Sequence, residues 1–139
     1  PIAHKMANLI ISKGFIYLDE VWGIEQNIAY PEEYAGTIDC VGLYKKKPTI
    51  LDFKQTNKPK REEWVEDYYL QLAAYICAHE KQYGEINGGT ILMASTGLVF
   101  QEFELSGSKL SEYKDKWWQR VEDFKTNHAL PPQESSQKV

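Results

Sequence analysis

The sequence has 139 residues, of which 42% are hydrophobic and 13% are aromatic. This length and composition predict one compact domain and exclude a chain that is disordered over most of its length. The formal net charge of −4 excludes a uniformly basic protein that coats nucleic acid through its overall charge, although local basic patches remain possible.

Hydrophobic spacing predicts a helix, three strands, a helix, two strands and a final helix. The expected ranges, in chain order, are 2–12, 21–30, 34–44, 49–54, 62–83, 90–95, 98–105 and 110–124. This order predicts an α/β fold in which a mixed central sheet of about five strands is flanked by helices. We expect residues 1–125 to form a single domain and residues 126–139, which contain Pro131 and Pro132, to form a disordered tail.

The two cysteines, Cys40 and Cys77, lie in apolar segments and form no CxxC pair. We therefore expect two reduced core cysteines, and neither an iron–sulfur cluster nor a cysteine-based zinc site. No apolar run reaches the roughly 18 residues of a membrane span, so we expect no membrane association. His79 and His128 are expected at the surface.

Two polar residues interrupt the third predicted strand. Asp52 and Lys54 lie two residues apart, so both side chains leave the same face, whereas Leu51 and Phe53 point to the other. An acid and a lysine on an otherwise buried strand cost free energy unless they are paired or bind something. A simple salt bridge at a sheet edge is the alternative.

Two further acids precede this strand. Asp39 lies next to Asp52 if the second and third strands form a hairpin, and Glu25 on the first strand could add a third carboxylate. Clustered carboxylates repel one another, and a divalent cation relieves that repulsion. Ligands that are all oxygen favour Mg²⁺ or Mn²⁺ over Zn²⁺. A turn or capping role for Asp39, and a solvated position for Glu25, remain open.

These acids belong to a series of motifs that resembles the PD-(D/E)XK nuclease superfamily, closest to its RecB-like exonuclease branch of phage and mitochondrial exonucleases. The motifs are Glu25, then Gly36-Thr37-Ile38-Asp39 (GxxD), then Asp52-Phe53-Lys54 (DxK), then Gln71-Leu72-Ala73-Ala74-Tyr75 (QxxxY). Each motif is weak alone, but the order and spacing are specific, and the similarity extends over roughly residues 21–124. The resemblance implies a restriction-endonuclease-like core.

The resemblance also implies the roles of individual residues. Asp39 and Asp52 would ligate one or two Mg²⁺ or Mn²⁺ ions, the carbonyl of Phe53 would complete the metal shell, and Glu25 would be a further ligand. Lys54 would position the attacking water and steady charge on the phosphate.

Outside the metal shell, Gln71 and Tyr75 would lie beside the active site and help to orient metal ligands or DNA. Many relatives also use a helical histidine upstream. His4 is one candidate, and the other is a residue before Pro1, since the chain does not begin with Met and we expect upstream residues to be missing.

A basic segment follows the DxK motif. Lys58, Lys60 and Arg61, together with Thr56, are candidate contacts to a DNA backbone, and Lys45 to Lys47 add positive charge at a predicted hairpin tip. A solvated loop is the alternative for these charges. The aromatic residues that follow could stack on unpaired bases, with core packing as the alternative: these are Trp64, Tyr68 and Tyr69.

The resemblance favours a metal-dependent deoxyribonuclease, an exonuclease acting on single-stranded or free-ended DNA. A structure-specific endonuclease is the alternative within the enzyme class, and a nucleic-acid-binding module that is inactive as a truncated fragment is the alternative outside it. We expect a cytoplasmic location, or the host-cell cytoplasm if the chain is encoded by a phage.

Overall fold

Five strands and three helices make up the computed structural model, which describes residues 1–128. Helix α1 (Ile2–Gly14) leads through a 3₁₀ turn (Phe15–Tyr17) to β1 (Leu18–Tyr30), β2 (Tyr34–Tyr44) and β3 (Lys47–Thr56). A second 3₁₀ turn (Glu62–Trp64) precedes α2 (Glu66–Gln82), which is followed by β4 (Gly88–Ser95), β5 (Phe100–Ser106) and α3 (Gly107–Asn127). The predicted order of elements is confirmed. Helix α3 extends two residues past the predicted domain boundary, and residues 129–139 of the predicted tail lie outside the described residues.

The strands form one mixed sheet in the order β1-β2-β3-β4-β5. The pairs β1–β2, β2–β3 and β4–β5 are antiparallel, whereas β3 and β4 run parallel and are joined by the α2 crossover. Lys45 and Lys46 form a two-residue turn at φ +51° and +67°, which is the left-handed geometry that suits the twist of a hairpin. Strand β3 therefore begins at Lys47, and the loop predicted over residues 45–48 is shorter than expected.

Helices cover both faces of the sheet, which confirms the predicted fold class. On one face, Met6 and Ile10 of α1 pack against Leu51 and Leu92. On the other face, α2 and α3 pack against the central strands through a larger core cluster that includes Ile50, Leu72, Ile76, Ile91, Leu105 and Leu110. All eight residues of β4 are buried because this strand has a neighbour on each side and helices on both faces.

Strand β1 is a 13-residue edge strand with an irregular course. Its pairing with β2 shifts register between Leu18 and Glu20 and again between Val21 and Gly23. The pairs Ile24–Cys40 and Gln26–Ile38 then flank Glu25, whose φ of +49° is rare for a residue with a side chain. The strand is therefore bent at several points along the exposed edge of the sheet.

The cysteines and histidines differ in how far they are buried. Cys40 and Cys77 are free, Cys40 being buried and Cys77 half-buried. His128 is exposed as expected, but the surface position expected for His79 is wrong: this residue is only 7% exposed, and its Nδ1 lies 3.4 Å from the carbonyl of Gly84. Over residues 1–128, none of the helices combines the length and apolar character needed to cross a membrane.

Candidate active site

The polar pair of β3 lies on the face of the sheet that α2 covers. Asp52 is 5% exposed, and the ammonium Nζ of Lys54 lies 3.1 Å from its Oδ2 as an ion pair. The direction of this approach does not meet hydrogen-bond geometry, so Oδ2 is a buried carboxylate oxygen without a hydrogen bond. An oxygen in this state is costly unless a cation or a proton reaches it.

The ionisation of Asp52 reflects this environment. The pKa of the carboxyl is raised from 3.8 to about 6: burial and the neighbouring Asp39 carboxylate raise it, whereas Lys54 acts in the opposite direction. The ion pair with Lys54 therefore compensates only part of the desolvation. A buried carboxylate whose ionisation is unfavourable in this way is typical of a site that binds a cation.

Asp39 reaches the same place because β2 and β3 separate there. Their backbone pairing ends at Cys40 and Leu51, and beyond that point the N–H of Phe53 donates to Oδ2 of Asp39 at 2.9 Å. The N–H and C=O of one strand residue point to the same side, so the Phe53 carbonyl also faces the gap between the two strands.

Strand β2 is bent at Asp39 as well. Ile38 and Val41, three residues apart, both pack in the core under α2, whereas Cys40 between them packs under α1. Regular alternation would place residues three apart on opposite faces, so the backbone departs from it at Asp39. This departure removes Asp39 from the ladder and allows its carboxylate to bond to the neighbouring strand.

The DxK lysine is connected to the QxxxY residues of α2. Lys54 Nζ donates to Oε1 of Gln71 at 3.3 Å, and Nε2 of Gln71 donates to the hydroxyl of Tyr75 at 3.0 Å. The i, i+4 spacing makes this second contact possible within one helix. Because Tyr75 accepts from the amide nitrogen, the amide oxygen is directed at Lys54.

Two aromatic contacts complete this arrangement. The Lys54 ammonium lies 4.7 Å from the centre of the Tyr68 ring, which is within the range of a cation–π contact. A Cβ added at Gly36 would lie 2.6 Å from Cε1 of Tyr75, so the glycine of GxxD leaves the space that this ring occupies. The GxxD, DxK and QxxxY motifs therefore meet at one place.

The donor set fits a hard divalent cation. The oxygens of Asp39, Asp52 and the Phe53 carbonyl are of the kind that Mg²⁺ and Mn²⁺ prefer. The buried Oδ2 of Asp52 without a hydrogen bond is the observation that supports this fit.

Neither of the other predicted ligands joins this group. Across residues 1–128, no three His, Cys, Asp or Glu side chains lie close enough to share a metal ion. Glu25 is exposed, and its left-handed backbone breaks the extended geometry of β1. His4 is exposed on α1, which packs on the opposite face of the sheet from α2. The roles of Glu25 and His4 as ligands stay predictions.

The predicted DNA contacts lie beside the site. An open groove of about 690 Å³ runs past Thr56, Lys58, Lys60 and Tyr68 at the end of β3. Arg61 follows this groove, with its guanidinium 5.3 Å from the ring centre of Trp64. The structure therefore brings the basic segment and the DxK residues to the same end of the sheet.

The other basic cluster is elsewhere. Lys45 to Lys47 lie at the opposite end of β3, and the five residues from Lys47 to Asp52 span about 17 Å of extended strand. Lys45 is ion-paired with Glu102 at 3.0 Å. The cluster lies at the tip of the β2–β3 hairpin, where the sequence predicts it, and away from Asp52 and Lys54.

Sequence reasoning missed the residue that holds the basic loop. The side-chain amide of Gln101 on β5 accepts from the N–H of Lys60 at 2.8 Å and donates to its carbonyl at 2.7 Å. Thr96 Oγ1 also donates to the carbonyl of Asn57 at 2.8 Å. These contacts join residues about forty positions apart, and a single sequence contains no periodic signal for them.

The fold and the site together define a restriction-endonuclease-like α/β domain. In comparisons with known proteins, the chain is 31% identical over 113 residues to mitochondrial genome maintenance exonuclease 1 of Xenopus tropicalis, covering 76% of this chain and 32% of that protein. It is 31% identical over 96 residues to the Homo sapiens protein of the same name, covering 66% of this chain and 28% of that protein. The aligned part thus spans about a third of the length of these relatives.

Among solved structures, a candidate exonuclease from Eubacterium rectale superposes with a TM-score of 0.63 at 15% identity, covering 99% of this chain and 60% of that one. At this identity the similarity concerns the fold. No protein-family model matches the chain. Motifs, fold and relatives agree: the chain belongs to the PD-(D/E)XK nuclease superfamily, in its RecB-like exonuclease branch.

Proposed function

We propose that this chain is the catalytic core of a metal-dependent DNA exonuclease that hydrolyses phosphodiester bonds in single-stranded or free-ended DNA. The observation that carries the proposal is the buried oxygen of Asp52, which lacks a hydrogen bond and lies beside Asp39 and Lys54. The names of the curated relatives support exonuclease activity. The basic groove beside Lys54 supports a polyanionic substrate.

The proposed cofactor is Mg²⁺ or Mn²⁺, held by Asp39, Asp52 and the carbonyl of Phe53. When bound, such an ion lowers the pKa of a water ligand and neutralises charge that develops on the phosphate. Lys54 holds a positive charge next to Asp52, where it can orient the attacking water and stabilise the phosphate oxygens.

The remaining residues support Lys54 and bind the strand. Gln71, fixed by Tyr75, holds the ammonium of Lys54 in place, so the lysine does not depend on Asp52 alone for its position. Lys58, Lys60 and Arg61 supply the positive charge that attracts the phosphates, and the hydroxyl of Thr56 closes the loop by donating to the carbonyl of Lys58 at 2.9 Å.

The test uses end-labelled linear single-stranded DNA and circular single-stranded DNA, each with Mg²⁺, with Mn²⁺ and with EDTA. We expect metal-dependent loss of the linear strand only, and its absence in Asp52→Ala. Lys54→Ala should lose cleavage while it retains binding, and Lys46→Gln, a basic residue at the far end of β3, is the matched control that should keep both. A nicked circle would instead assign an endonuclease.

A second measurement concerns the metal without reference to activity. Mg²⁺ or Mn²⁺ should raise the melting temperature of the wild-type protein and not that of Asp52→Ala, because a ligand that binds only the folded state stabilises it. A DNA mobility shift without cleavage, and without stabilisation by either metal, would refute the proposal and leave a nucleic-acid-binding module.

A further inference from the structure

We infer that Trp64 is a stacking platform for one unpaired base of the DNA strand, next to the basic groove. This inference rests on the proposed function, since it specifies how the same site selects single-stranded DNA. Trp64 is 59% exposed, which is unusual for the largest apolar side chain and leaves much of the indole free to contact a ligand.

The three aromatic residues that follow the basic segment, Trp64, Tyr68 and Tyr69, have different environments in the structure. Tyr69 is buried, at 1% exposure, and its hydroxyl donates to Glu62 at 3.0 Å, so it belongs to the core. The ring of Tyr68 lies against the Lys54 ammonium and serves the catalytic lysine. Trp64 ends the 3₁₀ turn immediately before α2, four residues ahead of Tyr68, and remains available.

The charges around Trp64 suit a nucleic acid strand. Arg61 lies over its ring, and Lys58 and Lys60 line the adjoining groove. A strand that follows the groove would place phosphates on these cations and a base on the indole, which is how single strands are held without sequence preference. Of the acids in the turn, Glu62 is ion-paired with Lys109, which offsets its charge.

A second exposed tryptophan provides a contrast. Trp22 on β1 is 47% exposed, but its Nε1 donates to the carboxylate of Glu20 at 2.7 Å. A fixed negative charge on that ring repels phosphates, so exposure alone does not make a base platform. The combination of an exposed indole with neighbouring cations distinguishes Trp64.

The position of Trp64 is also held firmly. The loop that leads to it is fixed by the two hydrogen bonds between the side chain of Gln101 and the backbone of Lys60. The turn itself is fixed by the contacts of Glu62 with Lys109 and Tyr69. A platform fixed before the ligand arrives loses little conformational entropy when a base stacks on it.

The experiment measures the affinity of wild-type protein, Trp64→Phe and Trp64→Leu for a fluorescent oligothymidylate in EDTA, where cleavage does not occur. A matched oligonucleotide carries abasic sugars in place of the bases. We expect Trp64→Leu to bind the oligothymidylate about 5- to 30-fold more weakly, and Trp64→Phe to recover most of that affinity. On the abasic strand the three proteins should bind alike.

Thermal unfolding of the variants separates stacking from folding, and the exposure of Trp64 predicts nearly equal melting temperatures. Equal affinity of Trp64→Leu and wild type for the oligothymidylate would overturn the inference, as would an equal loss of affinity on the abasic strand. Cleavage by the wild-type protein in Mg²⁺ is scored separately, so a failure of the proposed function is distinguishable from a failure of the platform.

Discussion

Replacing Asp52 by asparagine should stabilise the metal-free protein while removing its activity. The folded protein binds a proton at Asp52 more tightly than the unfolded chain, because burial raises the pKa from 3.8 to about 6. As pH rises from 3.8 towards 6, the folded state therefore loses stability relative to the unfolded state, and above 6 the loss is constant. The asparagine side chain has nearly the same shape as the aspartate and carries no charge, so this loss disappears in the variant.

The magnitude follows from the size of the shift. A difference of about two pKa units, at ~1.36 kcal/mol each, corresponds to a penalty of about 3 kcal/mol at neutral pH. The attraction of Lys54 is already included in the net shift, and Lys54 keeps its contacts with Gln71 and Tyr68 in the variant. Burying the polar amide costs about 1 kcal/mol, so the expected gain is about 2 kcal/mol, or roughly 8 °C in melting temperature.

The assay is urea unfolding followed by tryptophan fluorescence in EDTA, at about pH 4 and about pH 7.5. The matched control is Asp115→Asn, the same chemical change at an exposed position of α3. The difference in unfolding free energy between Asp52→Asn and wild type should be near zero at the lower pH and should reach about 2 kcal/mol at the higher pH. Added Mg²⁺ should then stabilise the wild-type protein alone, so the difference in stability between wild type and Asp52→Asn should become smaller.

One result would refute this reasoning. If Asp52→Asn is no more stable than wild type at about pH 7.5 in EDTA, while Asp115→Asn is also unchanged, then burial does not penalise the Asp52 carboxylate. The site would then be stable without a cation, and the principal argument for a metal at Asp52 would be lost.

Three further predictions concern the surroundings of the site. Gly36→Ala should lower kcat on single-stranded DNA about tenfold with little change in KM, because the added methyl would displace the ring of Tyr75. An unchanged kcat would contradict this contact. Gln101→Leu should weaken DNA binding in EDTA about fivefold, because the loop at Lys60 loses the two hydrogen bonds that fix it. Equal affinity of Gln101→Leu and wild type would show that these hydrogen bonds do not contribute to DNA binding. Lys60→Gln should reduce the slope of log affinity against log salt by about 0.7, whereas Lys46→Gln should leave it unaltered; equal slopes for both would remove the distinction between the two basic clusters.

The sequence was sufficient for the elements that depend on local patterns. Strand β2 was predicted at its observed bounds, since alternating residues bounded by turn residues give a local signal. The position of Asp52 and Lys54 on one face followed from their spacing on one strand. The i, i+4 spacing of Gln71 and Tyr75 likewise places both on one face of a helix, where they form a hydrogen bond. Only the resemblance to a family brought the strand and the helix together.

What sequence reasoning did not predict depends on contacts between distant segments. The burial of His79 depends on how α2 packs, and the clamp of Gln101 on Lys60 depends on where β5 falls beside the loop. The bend at Glu25 and Asp39 is a property of two paired strands together, so neither strand reveals it alone. Residues of this kind are found from the tertiary structure or not at all.

The irregular course of β1 has a consequence for how the protein behaves at high concentration. A straight edge strand of this length, with Val21, Trp22 and Ile24 exposed, would be a template for cross-strand association between molecules. Each register shift, and the left-handed residue at Glu25, interrupts the row of backbone donors and acceptors that an incoming strand would need. The register shifts of β1 and the left-handed backbone at Glu25 therefore oppose edge-to-edge pairing of this strand with a second molecule.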